Sequence, residues 1–367
     1  MTRPAQVVIN LPALRHNFSR VRELAPASKV IAVLKADAYG HGLTRVAQAL
    51  IDADIFGVAC SEEAMELRVS GIDRPVLLLE GPFSAHEIIE IDQLELDIVI
   101  HNTEQLRMLE LAKIRKPIRT WLKIDTGMHR LGFDPAEVKS AYKRLQQCAG
   151  VNPEVRLMTH LADASDPAST MTANQLAVFN RARSKLAGEC SIANSAGIIA
   201  WPETHVDYVR PGLMLYGVSP MENSLASDHG LQAAMSLHSE IIAVREVKKG
   251  ERIGYGAEWV CPEDMPVGVV AAGYGDGFPR HGKSGTPIMV NDRRTQVVGN
   301  PSMDMLIVDL RGVPEVRPGT PVVLWGKSLP VEEVAQHAQT IPYELLCAVH
   351  KRVKIITDEQ DQNPVSV

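Results

Sequence analysis

The chain is organised around one stretch, Val30-Ile31-Ala32-Val33-Leu34-Lys35-Ala36-Asp37-Ala38-Tyr39-Gly40-His41-Gly42. Its first five residues are apolar, rich in β-branched types and too few for a helix, so they predict a strand buried on both faces. The run ends in Lys35. Placing a lysine at the end of a buried strand costs free energy, which is unfavourable unless the lysine has a function there. Because a desolvated amine attacks carbonyl groups readily, Lys35 is a candidate nucleophile. A lysine that reaches solvent is the structural alternative, and this segment alone does not decide between the two.

Seven further apolar segments follow and alternate with helical patterns. With the first they give eight predicted strands, at residues 30–34, 54–60, 75–80, 96–100, 118–124, 154–160, 190–194 and 206–209. Strands that alternate with helices indicate a parallel sheet, and eight such units predict a closed (β/α)8 barrel, the TIM-barrel fold. An open doubly wound sheet is the alternative, which the absence of a Gly-x-Gly-x-x-Gly motif after the first strand disfavours.

The pattern changes after about residue 230. Short segments rich in valine and glycine predict a mainly β domain, with strands at 240–244, 267–272, 286–290, 295–298, 305–310 and 321–325 and helices at 331–338 and 343–349. We therefore expect an α/β chain with an N-terminal (β/α)8 barrel over 10–230 and a C-terminal mainly β domain over 231–367. We expect the strand at 1–9 to join that second domain and the tail from residue 358 to be disordered.

Composition disfavours several classes of function. The formal net charge is −6 with no long basic run, so neither nucleic acid nor a membrane surface is an expected partner. The first residues lack the apolar core of a signal peptide, and no apolar stretch reaches the length of a membrane span. The five cysteines are scattered without a Cys-x-x-Cys pair, which indicates reduced thiols and a cytoplasmic protein. No metal site is predicted.

Polar and mainly cationic residues stand at the carboxyl ends of the predicted barrel strands, where this fold places its active sites. They are Lys35, Lys123, Arg130, His160, Asn194, Ser195, Arg210 and Gly212. The ends of the seventh and eighth strands, which often bind phosphate in this fold, offer backbone N–H groups and a serine hydroxyl. A reactive lysine beside a phosphate site indicates pyridoxal phosphate (PLP) held as a Schiff base.

From about residue 5 to residue 356 the sequence resembles the bacterial alanine racemases, which are PLP enzymes of fold type III. The resemblance rests on eight motifs in order: VLKADAYGHG (33–42), KIDTGMHRLG (123–132), ANSA (193–196), VRPG (209–212), GYGA (254–257), GYGDG (273–277), SMD (302–304) and IPYE (341–344). Each motif alone is weak evidence, whereas all of them in order across both domains are specific. The resemblance implies interconversion of L-alanine and D-alanine, PLP as the cofactor and a homodimer with shared active sites.

The implied mechanism uses two bases, because racemisation removes the α-proton from one face of the amino acid and returns a proton to the other. By resemblance these bases are Lys35 and Tyr255, the latter supplied by the partner subunit. His160 resembles the histidine that hydrogen-bonds this tyrosine and links it towards Arg210. From the residues alone, Tyr255 could instead pack in a glycine-rich turn, and His160 could be an ordinary core histidine.

By resemblance Arg210 lies against the pyridine nitrogen of PLP. Arginine stays protonated, so that nitrogen should stay unprotonated and the ring should be a weaker electron sink. A weaker sink should favour return of the proton to the α-carbon over transamination. An arginine that forms a salt bridge at the barrel rim is the structural alternative.

The remaining site residues follow from the resemblance only. Arg130 is expected near the PLP phenolic oxygen and the substrate carboxylate, and Lys123 is expected to be carbamylated and to hold that arginine. The backbone of Met303, from the second subunit, is expected to meet the substrate carboxylate. Asp304 orients Arg130 or the site entrance, or serves as a structural cap. The residues expected to contact the cofactor are Tyr39, Ser195, Gly212, Leu213 and Tyr343. Tyr274 is expected at the site entrance.

Two departures from relatives and two alternatives accompany this interpretation. Asn300 stands where relatives often carry arginine, and Ser191 stands where some carry a histidine over Arg210. One alternative is another barrel-type PLP enzyme, such as an amino-acid decarboxylase or a racemase for serine or a bulkier substrate; such decarboxylases tend to place a glutamate at the PLP nitrogen. The other is a non-catalytic PLP-binding barrel, which would lack the C-terminal domain. Whether D-alanine is supplied for peptidoglycan or consumed in catabolism stays open.

Overall fold

The N-terminal part of the molecule is a closed barrel of eight parallel strands, as predicted. The computed structural model describes residues 3–359, so all but two residues of the predicted disordered tail lie outside the described part. Of those two, Asp358 is not disordered but ends a strand, because it pairs with Asn10. A strand at Gln6–Asn10 (β1) precedes the barrel. The barrel strands are Lys29–Val33 (β2), Ile55–Val58 (β3), Val76–Leu78 (β4), Asp97–Ile100 (β5), Thr120–Lys123 (β6), Arg156–Met158 (β7), Cys190–Ser191 (β8) and Tyr208–Val209 (β9). The barrel closes where β2 pairs with β9.

Helical segments connect the strands. They are Leu11–Leu24 (α1), Lys35–Gly40 (α2), Leu43–Ala49 (α3), Ser61–Val69 (α4), Glu87–Gln93 (α5), Thr103–Leu111 (α6), Val138–Gln147 (α7), Met171–Ala182 (α8) and Ser195–Ala200 (α9), with 3-10 turns at Pro202–Thr204, Leu213–Tyr216 and Ala226–His229. The side chain of Asn10 caps α1 by accepting a hydrogen bond from the backbone of Ala13 at 2.8 Å. The buried face of α1 includes Leu14, Phe18 and Val21, so its apolar residues recur at helical spacing as the sequence predicts.

Seven side chains, one from each of seven strands, fill the barrel interior. They are Ile31, Ile55, Leu77, Val99, Trp121, Met158 and Tyr208. Their neighbours along the chain, such as Val30 and Ala32, belong to the outer core instead. Successive side chains of a strand point to opposite faces, so this alternation gives the barrel two hydrophobic layers. The lower barrel is a packed core and leaves its functional space at the carboxyl ends of the strands.

The C-terminal part is a mainly β domain, as predicted. Its strands are Met235–Val247 (β10), Arg252–Ile253 (β11), Trp259–Val260 (β12), Met265–Val270 (β13), Pro287–Val290 (β14), Arg293–Gln296 (β15), Leu306–Asp309 (β16), Pro321–Trp325 (β17) and Lys354–Asp358 (β18). Its helices are Val331–His337 (α10) and Pro342–Cys347 (α11), and 3-10 turns lie at Tyr255–Ala257 and Tyr274–Asp276. The main path of the sheet runs β15-β14-β17-β10-β1-β18, and β13 joins β10 to β16.

The first strand of the chain pairs with strands of this C-terminal sheet. β1 is antiparallel to β10 and parallel to β18. The two small hairpin strands β11 and β12, and β18 itself, are absent from the strands expected from the sequence. A two-residue strand leaves no periodic signal. β18 has charged residues at both ends of its five positions and pairs with a strand at the other end of the chain. Within residues 3–359, none of the helices combines the length and the apolar character needed to cross a membrane.

Candidate active site

A cavity of about 790 Å³ opens at the carboxyl ends of the barrel strands. Ten of the residues predicted for the site line it: Lys35, Tyr39, Lys123, Arg130, His160, Ser195, Arg210, Gly212, Leu213 and Tyr343. Nine come from the barrel, whereas Tyr343 belongs to α11 of the C-terminal part. Four predicted residues do not line this cavity: Tyr255, Tyr274, Met303 and Asp304. The structure thus brings one group of predicted residues together and leaves a second group elsewhere on the C-terminal domain.

Strand periodicity explains why several of these side chains share the cavity. Lys123, His160 and Arg210 each lie two positions after a residue that fills the barrel interior, namely Trp121, Met158 and Tyr208. Residues two apart on a strand point to the same side, so the inward row continues past the packed layer into the mouth of the barrel. Lys35 follows Ile31 by four positions, an even number, so it continues the same inward row.

The segment α2, which begins at Lys35, is a left-handed turn and not a right-handed α-helix. Residues 36–39 have φ between 52° and 56°, although none of them is glycine. A left-handed L-residue costs about 1–2 kcal/mol, so such a run persists only where its surroundings hold it. The carboxylate of Glu63 accepts hydrogen bonds from the backbone of Ala36 at 2.7 Å and of Ala59 at 2.8 Å. The turn therefore joins the first two strand ends and brings Tyr39 back towards the cavity.

Aromatic stacking holds the Tyr39 ring. The Tyr39 and Tyr216 rings are stacked with their centroids 4.6 Å apart, and the Tyr343 ring lies 5.7 Å from that of Tyr39. The Tyr216 hydroxyl donates to the carbonyl of Val33 at 2.8 Å, which ties the stack to the end of β2. Burial raises the pKa of Tyr39 and of Tyr343, so both phenols stay protonated and can donate hydrogen bonds.

Ser195, just after β8, and Gly212, just after β9, lie close together and offer hydrogen-bond donors at the cavity. The Ser195 hydroxyl oxygen accepts from the backbone N–H of Gly212 at 2.8 Å, and from that of Met214 at 3.4 Å. Its own proton is therefore available to a ligand in the cavity. A Cβ atom on residue 212 would lie 2.6 Å from the Tyr39 hydroxyl, so only glycine leaves this space open. Hydroxyl donors, backbone N–H groups and nearby cations suit a phosphate group, and Lys35 in the same cavity suits an aldehyde, so the donor set fits PLP.

Arg210 is buried and held mainly by oxygen atoms of the backbone. Its guanidinium donates to the Ser191 hydroxyl at 2.5 Å, to the carbonyl of Ile192 at 3.2 Å and to the carbonyl of Thr159. Within residues 3–359 no carboxylate forms an ion pair with it, so the salt bridge considered from the sequence is not its environment. Burial lowers the pKa of Arg210 to about 10, which leaves it charged at neutral pH.

The positive charges of the cavity act on two neighbouring groups. Burial and three nearby cations lower the pKa of Lys123 to about 8; these cations are Arg210, Arg130 and Lys35. Burial, followed by the charge of Arg210 and of the cavity lysines and Arg130, lowers the pKa of His160 well below its ordinary value. His160 is therefore neutral at neutral pH, and Lys123 exists partly as a neutral amine.

Sequence reasoning missed some residues that shape the cavity. Gln175 of α8 donates to the carbonyl of His160 at 3.0 Å and accepts from the backbone N–H of Ala162 at 2.8 Å, so it holds the chain at and just after His160. A glutamine on an amphipathic helix carries no local signal of this role. Tyr216 was also missed, although its place shortly after the Arg210-Pro211-Gly212 motif was a usable signal.

The second group of predicted residues is exposed. Tyr255 is 69% exposed, Met303 53% and Tyr274 40%. The Met303 carbonyl accepts from the backbone of Gly275 at 2.8 Å, which joins the Tyr274 turn to the Met303 loop. Asp304 forms an ion pair with Arg352 at 2.9 Å, so within its own chain it is paired away from Arg130.

A buried carboxylate holds these two loops. Asp276 accepts from Arg3 at 2.7 Å, from Arg352 at 2.8 Å and from the backbone of Gly273 at 3.0 Å. Arg3 and Arg352 also donate to the carbonyls of Asp304 and Met303, respectively. Exposed aromatic and sulfur-containing side chains on rigidly held loops are typical of surfaces that contact another molecule.

Models of two protein domains match almost the whole chain. The alanine racemase N-terminal domain matches residues 9–220, and the alanine racemase C-terminal domain matches residues 234–357. The biosynthetic alanine racemase of Escherichia coli K12 is 51% identical over 350 residues, which cover 95% of this chain and 98% of that protein.

Solved structures agree with this match. The biosynthetic alanine racemase from Pseudomonas aeruginosa superposes with a TM-score of 0.95 at 44% identity, covering 98% of this chain and all of that one. Alanine racemase from Bartonella henselae, solved with covalently bound pyridoxal phosphate, gives a TM-score of 0.88 at 28% identity over 97% of this chain and 99% of that one. The family expected from the motifs is thereby confirmed: this chain belongs to the alanine racemases, the enzymes that interconvert L-alanine and D-alanine.

Proposed function

We propose that this chain racemises alanine with PLP bound in the barrel cavity, in a homodimer whose two active sites are each completed by the partner subunit. The observation that carries this proposal is the separation of the two predicted bases. Lys35 lines the cavity, whereas Tyr255 stands 69% exposed on the C-terminal domain. A base that is to act opposite Lys35 must then come from a second copy of the chain.

The residues proposed to hold the cofactor divide into two sets. Tyr39, Ser195, Tyr343 and the backbone of Gly212 and Leu213 would hold the phosphate, and Lys35 would bind the aldehyde carbon. The solved relative from B. henselae carries covalently bound pyridoxal phosphate, which supports the same attachment here. When bound, PLP supplies an electron-withdrawing system that acidifies the α-proton of the amino acid.

Lys35 and Tyr255 are proposed to exchange the α-proton on opposite faces of the substrate. The amine of Lys35 takes the proton from one face, and the phenol of Tyr255 gives one to the other. His160 would hold the Tyr255 hydroxyl by a hydrogen bond, since its neutral ring has an acceptor nitrogen. Residues 254–257, which carry Tyr255, lie on the exposed hairpin between β11 and β12 and can reach a partner.

Arg210 is proposed to face the pyridine nitrogen with its charge intact. Its donors to Ser191, Thr159 and Ile192 fix the plane of the guanidinium and leave its charge unpaired by any carboxylate among the described residues. A fixed cation opposes protonation of a facing ring nitrogen. Arg210 would thereby favour proton return over transamination and disfavour a decarboxylase, for which a glutamate is expected at this place.

Lys123 is proposed to carry a carbamate. The ammonium first loses a proton to solvent, and the neutral amine then attacks the carbon of CO₂. The N–C bond forms, one C=O π pair moves onto oxygen, and a second proton leaves to solvent, so a cation becomes an anion. A pKa of about 8 supplies the neutral amine that this reaction needs. The product would sit among the positive charges that lowered the pKa, and it would pair with Arg130. Arg130 and the backbone of Met303 from the partner would then bind the substrate carboxylate.

The proposed physiological role is supply of D-alanine in the cytoplasm, as a precursor of peptidoglycan. Relatives that are 51% identical carry the name biosynthetic alanine racemase, which supports supply over catabolism. Activity on serine is the second specificity to measure, because serine differs from alanine by a single hydroxyl group.

Mixed dimers test the shared site. Lys35→Ala and Tyr255→Phe chains should each be almost inactive alone. Co-produced, they form mixed dimers in which one site has both bases and the other has neither, so about a quarter of wild-type activity should return. Lys35→Ala paired with the Lys35→Ala/Tyr255→Phe double variant is the control and should stay inactive. If no activity returns in the mixed dimers, both bases act within one chain and the proposal is wrong.

A further inference from the structure

His41 is a buried residue of the turn that the mechanism does not use. Its Nδ1 lies 2.9 Å from the carbonyl oxygen of Tyr39 and 3.1 Å from that of Ala38. Both neighbours are acceptors, so Nδ1 must carry the ring proton. Among residues 3–359, Nε2 has no hydrogen-bond partner. The surroundings thus require one tautomer of a neutral imidazole.

The same ring also packs on the aromatic stack. The His41 and Tyr216 rings have centroids 4.6 Å apart, and the Tyr39 ring also lies 4.6 Å from that of Tyr216. His41 therefore contacts Tyr39 in two ways, directly through its carbonyl and indirectly through the ring of Tyr216. Glu63 holds the start of the left-handed turn, whereas these contacts of His41 lie at its other end.

We propose that His41 is a positioning residue, whose Nδ1–H locks the left-handed turn and thereby fixes Lys35 relative to Tyr39. The proposal rests on the proposed function in one respect: Lys35 and Tyr39 are taken to hold opposite ends of PLP. The turn between them sets the distance from the amine to the phenol. Without a donor at residue 41, the carbonyl of Tyr39 would lose its side-chain hydrogen bond and that of Ala38 would keep only the bond from the backbone N–H of His41, so the turn could relax towards the right-handed conformation.

The chemistry of this position suits histidine. The donor must reach carbonyls two and three residues back while a flat ring covers Tyr216, and imidazole supplies both. Burial lowers the pKa of His41 to about 4, and the nearby charge of Arg45 acts in the same direction. The ring therefore stays neutral at neutral pH, as a single donor with the required tautomer.

Two variants distinguish the contribution of the N–H donor from that of the aromatic ring. His41→Asn keeps an N–H at the Nδ1 position and removes the ring, whereas His41→Phe keeps a ring and removes the donor. We expect both to lower the thermal midpoint. His41→Asn should keep the absorbance band of the lysine-bound cofactor and a near-normal kcat. His41→Phe should bind PLP about tenfold more weakly and lose kcat, because Lys35 and Tyr39 shift apart.

Two results would overturn the proposal. If His41→Phe binds PLP and turns over like the wild type, the donor is not needed. If both variants lose PLP binding equally, the ring and not the donor holds the turn. If the wild-type chain forms no lysine-bound cofactor at all, the proposed function fails instead, so the two failures are distinguishable.

A measurement without cofactor keeps the test independent of activity and of variant folding. In the full-length chain with ¹⁵N-labelled histidine, NMR at neutral pH should show His41 as the Nδ1–H tautomer, assigned by the signal that disappears in His41→Asn. An Nε2–H tautomer at this residue would contradict the proposed hydrogen bonds. If His41→Asn does not fold, ring-selective labelling and the shift pattern of a fully buried neutral ring identify the signal.

Discussion

The packing of the turn against α11 gives a prediction for Gly40→Ala. Gly40 has φ +77°, and a Cβ atom there would lie well inside van der Waals contact with the carbonyl oxygen of Leu346 and 3.2 Å from its carbonyl carbon. Both obstacles are backbone atoms, which cannot rotate away as the tip of a side chain can. The substitution must therefore displace either the turn that follows Lys35 or the helix that carries Tyr343.

The expected loss of stability has two parts, a backbone cost and a steric cost. A control substitution at a second glycine separates them. Gly71 has a similar φ of +82°, but a Cβ atom there meets nothing within 4 Å. Gly71→Ala should thus show only the backbone cost, about 1 kcal/mol. Gly40→Ala adds overpacking of about 1–3 kcal/mol, for a total of about 2–4 kcal/mol.

Urea unfolding followed by tryptophan fluorescence, with wild type and both variants in parallel, measures these losses. PLP titration of the same samples should show weaker binding to Gly40→Ala only, because only that variant moves Tyr343 or the turn. Equal loss of stability in the two variants would refute the clash, and unchanged PLP binding in a destabilised Gly40→Ala would refute the link between this contact and the cofactor site.

Three further predictions follow from the same structure. Ser191→Ala leaves a buried Arg210 donor without its 2.5 Å acceptor and should lower the free energy of unfolding by about 1–3 kcal/mol in urea titrations; an unchanged value would mean that water or the backbone replaces the hydroxyl. In bicarbonate at pH 8, native mass spectrometry should find the wild-type chain heavier by one CO₂ than the amine form and Lys123→Gln without that gain; a free amine in the wild type would contradict the carbamate. The pKa of His41 is about 4 when folded and 6.5 when exposed, so as pH falls below 6.5 the unfolded chain takes up a proton that the folded chain refuses. Stability should then fall by roughly 3 kcal/mol between pH 6.5 and 4, less steeply in His41→Asn, and identical slopes would argue against the buried neutral ring.

The barrel was predictable because its signals are local. Each buried strand is a short apolar run, and the polar residue that ends the run marks the barrel mouth. The period of two then carries the inward row from Trp121 to Lys123 and from Tyr208 to Arg210. Predicted strands such as 54–60 exceed the observed Ile55–Val58, since apolar residues continue beyond the hydrogen-bonded ladder.

The left-handed turn could not be predicted in the same way. Ala36 and Ala38 are strong right-handed helix formers, so local propensity opposes the observed conformation. It depends on distant contacts, including the Glu63 carboxylate from α4 and the ring stack with Tyr216. The loops around Asp276 depend likewise on Arg3 and Arg352, from opposite ends of the chain, which no motif connects. The roles of the individual site residues stay predictions for the experiments above.

Proton exchange during turnover tests the two-base account most directly. L-alanine is incubated with the PLP-loaded protein in deuterated water, and the product is analysed by proton NMR and chiral separation. The account predicts D-alanine with deuterium at the α-carbon, and a large loss of D-alanine formation in Tyr255→Phe. Deuterium that enters L-alanine without inversion would show a working base on one face only, and the role assigned to Tyr255 would be wrong.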